Sequence, residues 1–133
     1  MGIRKTLLIT VLYIFTFAAC SSNDEATTYE KAEFYGSWEL SSSTSENFVV
    51  CTDNPLILDI SENEIFFSGI DSGTWCNSGS SLQSNYDFNG SVFTIHSFSV
   101  DAPYTITSKH KDEFTWERNL GAKPEVYTYI KLN

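Results

Sequence analysis

The chain has 133 residues, with 8 basic and 17 acidic side chains and a formal net charge of −9. This length fits one domain, and a chain of this size buries about 65% of its unfolded surface, which is enough for one core. An acidic surface repels phosphate backbones and anionic lipids, so we predict that the protein binds no nucleic acid and does not adsorb to membranes by charge.

The N-terminus has the layout of a cleavable secretory segment. A basic pair, Arg4 and Lys5, precedes an apolar run over residues 6–17, and two alanines then precede Cys20. The apolar run is shorter than the roughly 20 residues that span a bilayer. The sequence therefore predicts a signal peptide over residues 1–19.

The alanine pair followed by Cys20 resembles the lipobox of bacterial lipoproteins, in which the cysteine receives the lipid and becomes the first mature residue. The resemblance implies membrane attachment through a lipid on Cys20, at the bacterial outer membrane. An ordinary signal peptide cut near Ala19 is the alternative. The polar run Ser21–Glu25 resembles the tag with which Bacteroidetes export lipoproteins to the cell surface, although a solvated tether explains the same residues.

The mature chain is predicted to begin with a tether. Cleavage would leave 114 residues, with 6 basic against 17 acidic side chains and a net charge of about −11. Residues 20–34 are mostly small, polar or acidic, with a short helical turn expected around Tyr29–Phe34. Residues 35–133 form the predicted folded domain.

The folded domain consists of short segments in which apolar and polar residues alternate, as in half-buried strands. In chain order, the predicted strands are Gly36–Leu40, Pro55–Ile60, Glu64–Ser68, Thr74–Cys76, Gln83–Phe88, Ser91–His96, Pro103–Lys109, Glu113–Arg118 and Glu125–Leu132, with Phe48–Cys51 as a strand or a loop. Asn89-Gly90 between two of these segments is a strong hairpin signal, because both residues tolerate a positive φ.

No segment has a sustained helical period, so the sequence predicts an all-β fold of eight or nine strands. An antiparallel, up-and-down barrel of about eight strands leaves no free sheet edge. Its interior is wide enough for side chains or one small ligand. The alternative is an immunoglobulin-like β-sandwich, which usually bridges cysteines about twice as far apart in sequence as Cys51 and Cys76.

Cys51 and Cys76 are an even pair in an exported chain, which predicts a disulfide. The sequence has no Cys-x-x-Cys motif and no histidine near this pair that would complete a zinc site. Two free thiols are the alternative. Closing this 26-residue loop would stabilise the fold by about 3 to 4 kcal/mol.

Gly36-Ser37-Trp38 resembles the lipocalin family, in particular the small lipocalin-like lipoproteins of Bacteroidetes. In those proteins a lipobox and a tether lead into a Gly-x-Trp strand, a cysteine pair crosses the early strands, and the last strand is rich in tyrosine, as Val126–Ile130 is here. The resemblance implies that Trp38 closes the floor of a barrel and that a basic side chain from a late strand, for which Arg118 is the candidate, packs over it. Trp75 in Gly73-Thr74-Trp75 is an alternative floor residue.

The sequence offers little support for catalysis. His96 and His110 are its two histidines, and neither lies near a Gly-x-Ser-x-Gly nucleophile motif. No group of histidines and acids has metal-ligand spacing, and no phosphate-binding loop occurs. We therefore predict surface histidines, no metal, no cofactor and no enzymatic activity.

The feature that points to a function is the aromatic content of 20 residues, 17 of which follow Cys20. Most must fill the core, but aromatic side chains at an open barrel mouth would suit a small apolar or amphiphilic ligand. The candidate ligand-binding residues are Tyr86, Phe93, Tyr104, Tyr127 and Tyr129. Core packing is the alternative for each of them.

The predicted function is a non-catalytic module that binds a small apolar or amphiphilic ligand. The alternative is a protein-interaction or inhibitor module that engages a partner at the cell surface through loops such as Ser41–Asn47 and Asn77–Leu82.

Overall fold

The structure is a computed structural model that describes residues 26–46, 50–70, 80–97 and 100–133. In the described part of the chain, a 3₁₀ turn over Lys31–Phe34 precedes eight strands. The strands are β1 (Gly36–Ser43), β2 (Ile57–Ile60), β3 (Glu64–Ile70), β4 (Ser80–Phe88), β5 (Val92–Ser97), β6 (Val100–His110), β7 (Glu113–Asn119) and β8 (Pro124–Lys131). No helix among the described residues is long and apolar enough to cross a membrane.

The eight strands form one closed, antiparallel barrel. Each strand pairs with the next along the chain, and β8 returns to pair with β1. In this closing pair, Trp38 lies opposite Lys131 and Leu40 opposite Tyr129. Among the described strands, closure leaves no edge unpaired, so no row of backbone N–H and C=O groups is left without hydrogen-bond partners. The predicted up-and-down barrel is confirmed, and the sandwich alternative is not.

Strand bounds differ from the prediction mainly where the sequence is polar. β1 continues through Ser43 and β4 starts at Ser80, although the predicted loops covered Ser41–Asn47 and Asn77–Leu82. Backbone pairing with β8 extends β1, and the Ser41 hydroxyl also donates to the Thr128 carbonyl at 3.1 Å. The predicted strand Thr74–Cys76 lies outside the described residues.

The predicted hairpin at Asn89-Gly90 joins β4 to β5. The Asn89 side-chain oxygen accepts hydrogen bonds from the backbone N–H groups of Ser91 and Val92 at 3.2 and 2.9 Å. Gly90 has a φ of +96°, a conformation in which a side chain would be strained. The sequence signal for this turn is therefore confirmed, with three residues between the strands.

The alternating residues that the sequence placed on one strand face point into the barrel. Trp38 and Leu40 on β1 and Phe114 and Trp116 on β7 are buried. Tyr127 and Tyr129 on β8 face inward as well, whereas Ile130 is exposed. These inward positions form a single core inside the barrel.

One end of the barrel is closed by the segment before β1. The Tyr29 N–H donates to the Gly90 carbonyl at 2.7 Å, and Phe34 is fully buried. The Phe34 ring packs edge-on against Phe93 and Phe114, with centroids 5.2 and 5.4 Å away. The expected helical turn is therefore present, and the folded unit includes residues from Tyr29 onward that were expected to belong to the tether.

Candidate ligand-binding cavity

The connections between strands lie alternately at the two ends of the barrel, and only one of these ends is covered by the segment before β1 in the described chain. The turns after β2, β4 and β6 lie at the closed end, beside Phe34 and Trp38. The Trp38 indole N–H donates to the Phe34 carbonyl at 2.7 Å, which ties the covering segment to β1. The connections after β1 and β7 lie at the opposite end, where the described residues leave a cavity, and we call it the open end.

An interior cavity of about 140 Å³ lies toward the open end. Its apolar wall consists of Leu56, Phe67, Leu82, Ile95 and Ala102. Ser97, Tyr104, Arg118, Tyr127 and Tyr129 complete the lining. An engineered apolar cavity of about 150 Å³ holds one benzene molecule, whereas pockets for drug-sized ligands measure about 300 to 1,000 Å³. This cavity therefore fits a group the size of one aromatic ring.

Three of the five predicted ligand-binding residues, Tyr104, Tyr127 and Tyr129, line this cavity. Tyr86 and Phe93 do not. The Tyr86 hydroxyl donates to the Ser61 carbonyl in the turn after β2, at the closed end, at 2.6 Å. Phe93 is fully buried and belongs to the aromatic cluster around Phe34. Tyr86 and Phe93 therefore belong to the core, which was the alternative to ligand binding for these residues.

Arg118 does not pack over Trp38, and this correction follows from strand register. Arg118 lies opposite Glu125 near the start of β8, whereas Trp38 lies opposite Lys131 at its end. Arg118 therefore reaches the open end, where its guanidinium carbon is 5.6 Å from the centroid of the Tyr104 ring.

Trp38 is instead flanked by Lys109 and Lys131, whose ammonium nitrogens are 5.5 and 5.1 Å from the tryptophan ring centroid. Trp38 thus lies at the closed end, where the floor was expected, with two lysines in the place predicted for an arginine. Trp75 lies outside the described residues.

The tyrosine hydroxyls around the cavity stay protonated at neutral pH. Burial raises the pKa of Tyr129 well above its ordinary value and also raises the pKa of Tyr104, which the nearby Arg118 partly offsets. Burial, reinforced by the hydrogen bond to Glu125, raises the pKa of Tyr127. The cavity therefore presents neutral phenols to a ligand.

Glu125 is held at the open end by two hydroxyl groups. One of its carboxylate oxygens accepts from the Tyr127 hydroxyl at 2.5 Å, and the other accepts from the Ser45 hydroxyl at 2.8 Å. The carboxylate thus fixes the Tyr127 side chain.

Part of the cavity lining was not anticipated. Ala102 lies opposite Ile95 on the neighbouring strand, and both face inward. The predicted strand begins at Pro103, one residue too late to include Ala102, whereas β6 begins at Val100 and continues through the charged Asp101. The meeting of Ile95 with Ala102 depends on the register between β5 and β6, which the alternation of apolar and polar residues does not give.

A second hollow, of about 180 Å³, lies on the outer face of β1 to β4 near the closed end. Outward-pointing polar side chains such as Ser37, Asp59 and Gln83 line it, and the Ser37 hydroxyl donates to Asp59. Because these groups face solvent and partner one another, the interior cavity is the better candidate for a ligand of apolar character.

His96 lies on the outer wall of the barrel. Its Nδ1 is 2.8 Å from an Asp101 carboxylate oxygen, and its Nε2 is 3.0 Å from an Asp87 oxygen. The hydrogen bonds to Asp101 and Asp87 raise the pKa of His96, because they stabilise the doubly protonated ring. Within the described ranges, no group of three His, Cys, Asp or Glu side chains could hold a metal ion.

Cys51 is half-buried in the connection between β1 and β2. Cys76, its predicted disulfide partner, lies outside the described residues, as does Cys20. The pairing of Cys51 with Cys76 stays a prediction.

No protein-family model matches this chain, and no curated protein sequence matches it either. The topology alone therefore classifies the described chain, as a closed, eight-stranded, antiparallel up-and-down barrel.

Proposed function

We propose that this chain is a lipid-anchored protein of the bacterial cell envelope whose lipocalin-like barrel binds a small apolar or amphiphilic ligand without catalysing a reaction. The observation that carries the proposal is the cavity of about 140 Å³ at the open end. A packed interior normally leaves few voids larger than a water molecule. A cavity of several water volumes with an aromatic wall is therefore more than a packing defect.

The lining supports a ligand with a mainly apolar body. Leu56, Ile95 and Ala102 offer no hydrogen bonds, so a polar molecule would lose its hydration on entry without compensation. Tyr104 and Tyr127 add flat surfaces and hydroxyl groups at which a polar atom of the ligand could bind.

The attachment of the N-terminal segment suggests how the barrel is presented. The chain joins the barrel at the closed end, where Tyr29 bonds to Gly90, and Cys20 precedes Tyr29 by nine residues. A lipid on Cys20 would hold the closed end toward the membrane and leave the cavity facing away from it. Triacylation supplies more than one buried acyl chain, which gives stable anchoring.

Ligand binding is tested by native mass spectrometry of the chain from Ala26 to Asn133, which contains all eight paired strands and the covering segment. The protein is exposed to an extract of lipids and metabolites from the source cells. We expect a retained small mass. A clean mass of the protein alone under all conditions would contradict the proposal.

A matched pair of variants locates the binding site. Ala102→Leu fills the cavity from β6, whereas Thr107→Leu adds a larger apolar side chain at an exposed position of the same strand. The retained mass should disappear in Ala102→Leu and persist in Thr107→Leu. Its persistence in both would place the ligand elsewhere.

Lipid anchoring is tested with the full-length chain expressed in a bacterial host. Cys20→Ser should release the protein from the membrane fraction and abolish incorporation of a labelled fatty acid. An unchanged membrane fraction would contradict lipid attachment at Cys20 and favour an ordinary signal peptide.

A second candidate function, a protein-interaction module, is favoured by the apolar side chains around the open end. Val100 and Leu120 are 66% and 56% exposed, and both lie next to connections at this end. If binding of a surface partner is the function, Val100→Ser and Leu120→Ser should weaken that binding, while Ala102→Leu leaves it unchanged. The reverse pattern would favour the ligand-binding function.

A further inference from the structure

Arg118 is unusual among the residues that line the cavity because it brings a permanent positive charge to an apolar wall. Its side chain is half-buried on β7. Among the described residues, no carboxylate oxygen lies within ion-pair distance, about 4 Å, of its guanidinium. Its polar neighbour in the cavity is the Tyr104 hydroxyl, whose pKa the Arg118 guanidinium lowers through its charge and a hydrogen bond, against the larger effect of burial.

The nearest acidic candidate by register is Glu125, directly across from Arg118 on β8. Its two oxygens accept hydrogen bonds from the hydroxyls of Tyr127 and Ser45. Among the described residues, the carboxylate of Glu125 is engaged by these two hydroxyls and forms no ion pair with Arg118, so no direct pair neutralises the positive charge at the cavity.

The groups beside Arg118 suit an anion as well. Its guanidinium lies over the Tyr104 ring, and Tyr104 and Tyr129 also line the cavity. Burial raises the pKa of both hydroxyls, so each remains an O–H donor at neutral pH. A guanidinium and neutral O–H donors together form strong, charge-assisted hydrogen bonds to an acidic oxygen.

We propose that the cavity takes a small organic anion whose apolar body, about one aromatic ring in size, lies against Ile95 and Ala102, and whose carboxylate or similar acidic group binds Arg118. This inference rests on the proposed ligand-binding function and narrows it to a charge class. Arginine matches the planar, two-oxygen shape of a carboxylate better than lysine does.

The test compares three probes of one shape, which are phenylacetate, its neutral amide phenylacetamide, and the cation phenethylamine. Binding to the chain from Ala26 to Asn133 is followed by NMR, through the methyl signals of Ile95 and Ala102. We expect phenylacetate to bind at least about tenfold more tightly than phenylacetamide, since a hydrogen-bonded charge contributes at least that factor. Phenethylamine should bind most weakly.

Three variants test the role of the arginine. Arg118→Gln should remove the preference for phenylacetate over phenylacetamide, and Arg118→Lys should keep part of it. Lys123→Gln removes the same charge from an exposed position in the neighbouring connection and should leave the preference unchanged. Glu125→Gln should strengthen phenylacetate binding severalfold, because it removes a nearby negative charge.

The outcomes separate this inference from the proposed function. Equal binding of phenylacetate and phenylacetamide, with shifts at Ile95 and Ala102, would overturn the anion preference and leave the cavity as a ligand site. Failure of every probe to shift these methyl signals would overturn both. If Arg118→Gln does not fold, the comparison of probes on the unmodified chain and on Arg118→Lys still decides the matter.

Discussion

The floor of the barrel is a fully buried tryptophan flanked by two lysines. Trp38 donates its indole N–H to Phe34, and the ammonium groups of Lys109 and Lys131 approach its ring. A cation over a tryptophan face contributes about 0.5 to 2 kcal/mol, depending on its desolvation. Both lysine side chains are half-buried, as expected where an apolar lysine stem lies along aromatic rings and its head reaches water. At the opposite end, the single arginine of the described chain faces the cavity.

On the outer wall of the barrel, His96 on β5 links three strands, since it contacts Asp87 on β4 and Asp101 on β6. These carboxylates raise the pKa of His96 in the folded state. The protonated ring therefore stabilises the fold fully when the pH is below the pKa of the unfolded state, near 6.5. This stabilisation is lost as the pH rises through the higher pKa of the folded state. The difference in free energy of unfolding between the unmodified protein and His96→Gln should therefore be larger at about pH 5.5 than at about pH 9.

Chemical denaturation at the two pH values measures this difference. The double variant Asp87→Asn, Asp101→Asn is the control, since His96→Gln should then show no extra loss at low pH. A pH-independent difference in the unmodified background would contradict a stabilising role of the two carboxylate contacts.

Among the secondary-structure elements, the 3₁₀ turn Lys31–Phe34 matters most for the closed end. Phe34 contacts Phe88, Phe93 and Phe114 edge-on. We expect Phe34→Ala to lower the free energy of unfolding by about 3 to 5 kcal/mol, the usual cost of removing a buried phenylalanine side chain. Ala32→Ser, at an exposed position of the same turn, should change it by less than about 0.5 kcal/mol. A loss below about 1 kcal/mol for Phe34→Ala would mean that the turn is not part of the cooperative fold.

The connection between β1 and β2 carries Cys51, and its predicted bond to Cys76 is tested directly. The chain from Ala26 should gain two daltons on reduction, and Cys51→Ser with Cys76→Ser should lower the free energy of unfolding by about 3 to 4 kcal/mol. An unchanged mass on reduction would contradict the disulfide.

Strand positions were largely predictable from sequence because alternation reports which residues face inward, as Trp38 and Leu40 do. Alternation does not report how far a strand continues once it becomes polar, so it predicts a loop at Ser41 to Ser43, where β1 continues. Alternation also indicates whether a side chain faces inward or outward, but not at which end of the barrel it lies. Arg118 shares the inward face of β7 with Trp116, and only its register against Glu125 places it at the open end.

For the whole molecule, barrel closure determines the candidate site. The interior is filled by aromatic side chains at the closed end, where the covering segment packs, and the free volume remains near the open end. Tyrosines of the last strand could be proposed as ligand-binding residues from sequence because they alternate on one face. The walls from Leu56, Ile95 and Ala102 could not, since their meeting depends on three-dimensional closure of the sheet.

The most direct test of a ligand-binding barrel is a crystal structure of the chain from Ala26 to Asn133, purified from its source cells without denaturation. We expect a closed eight-stranded barrel with electron density for a bound small molecule between Tyr104, Tyr129 and Ala102. An interior in which side chains occupy this volume and leave no cavity would contradict it.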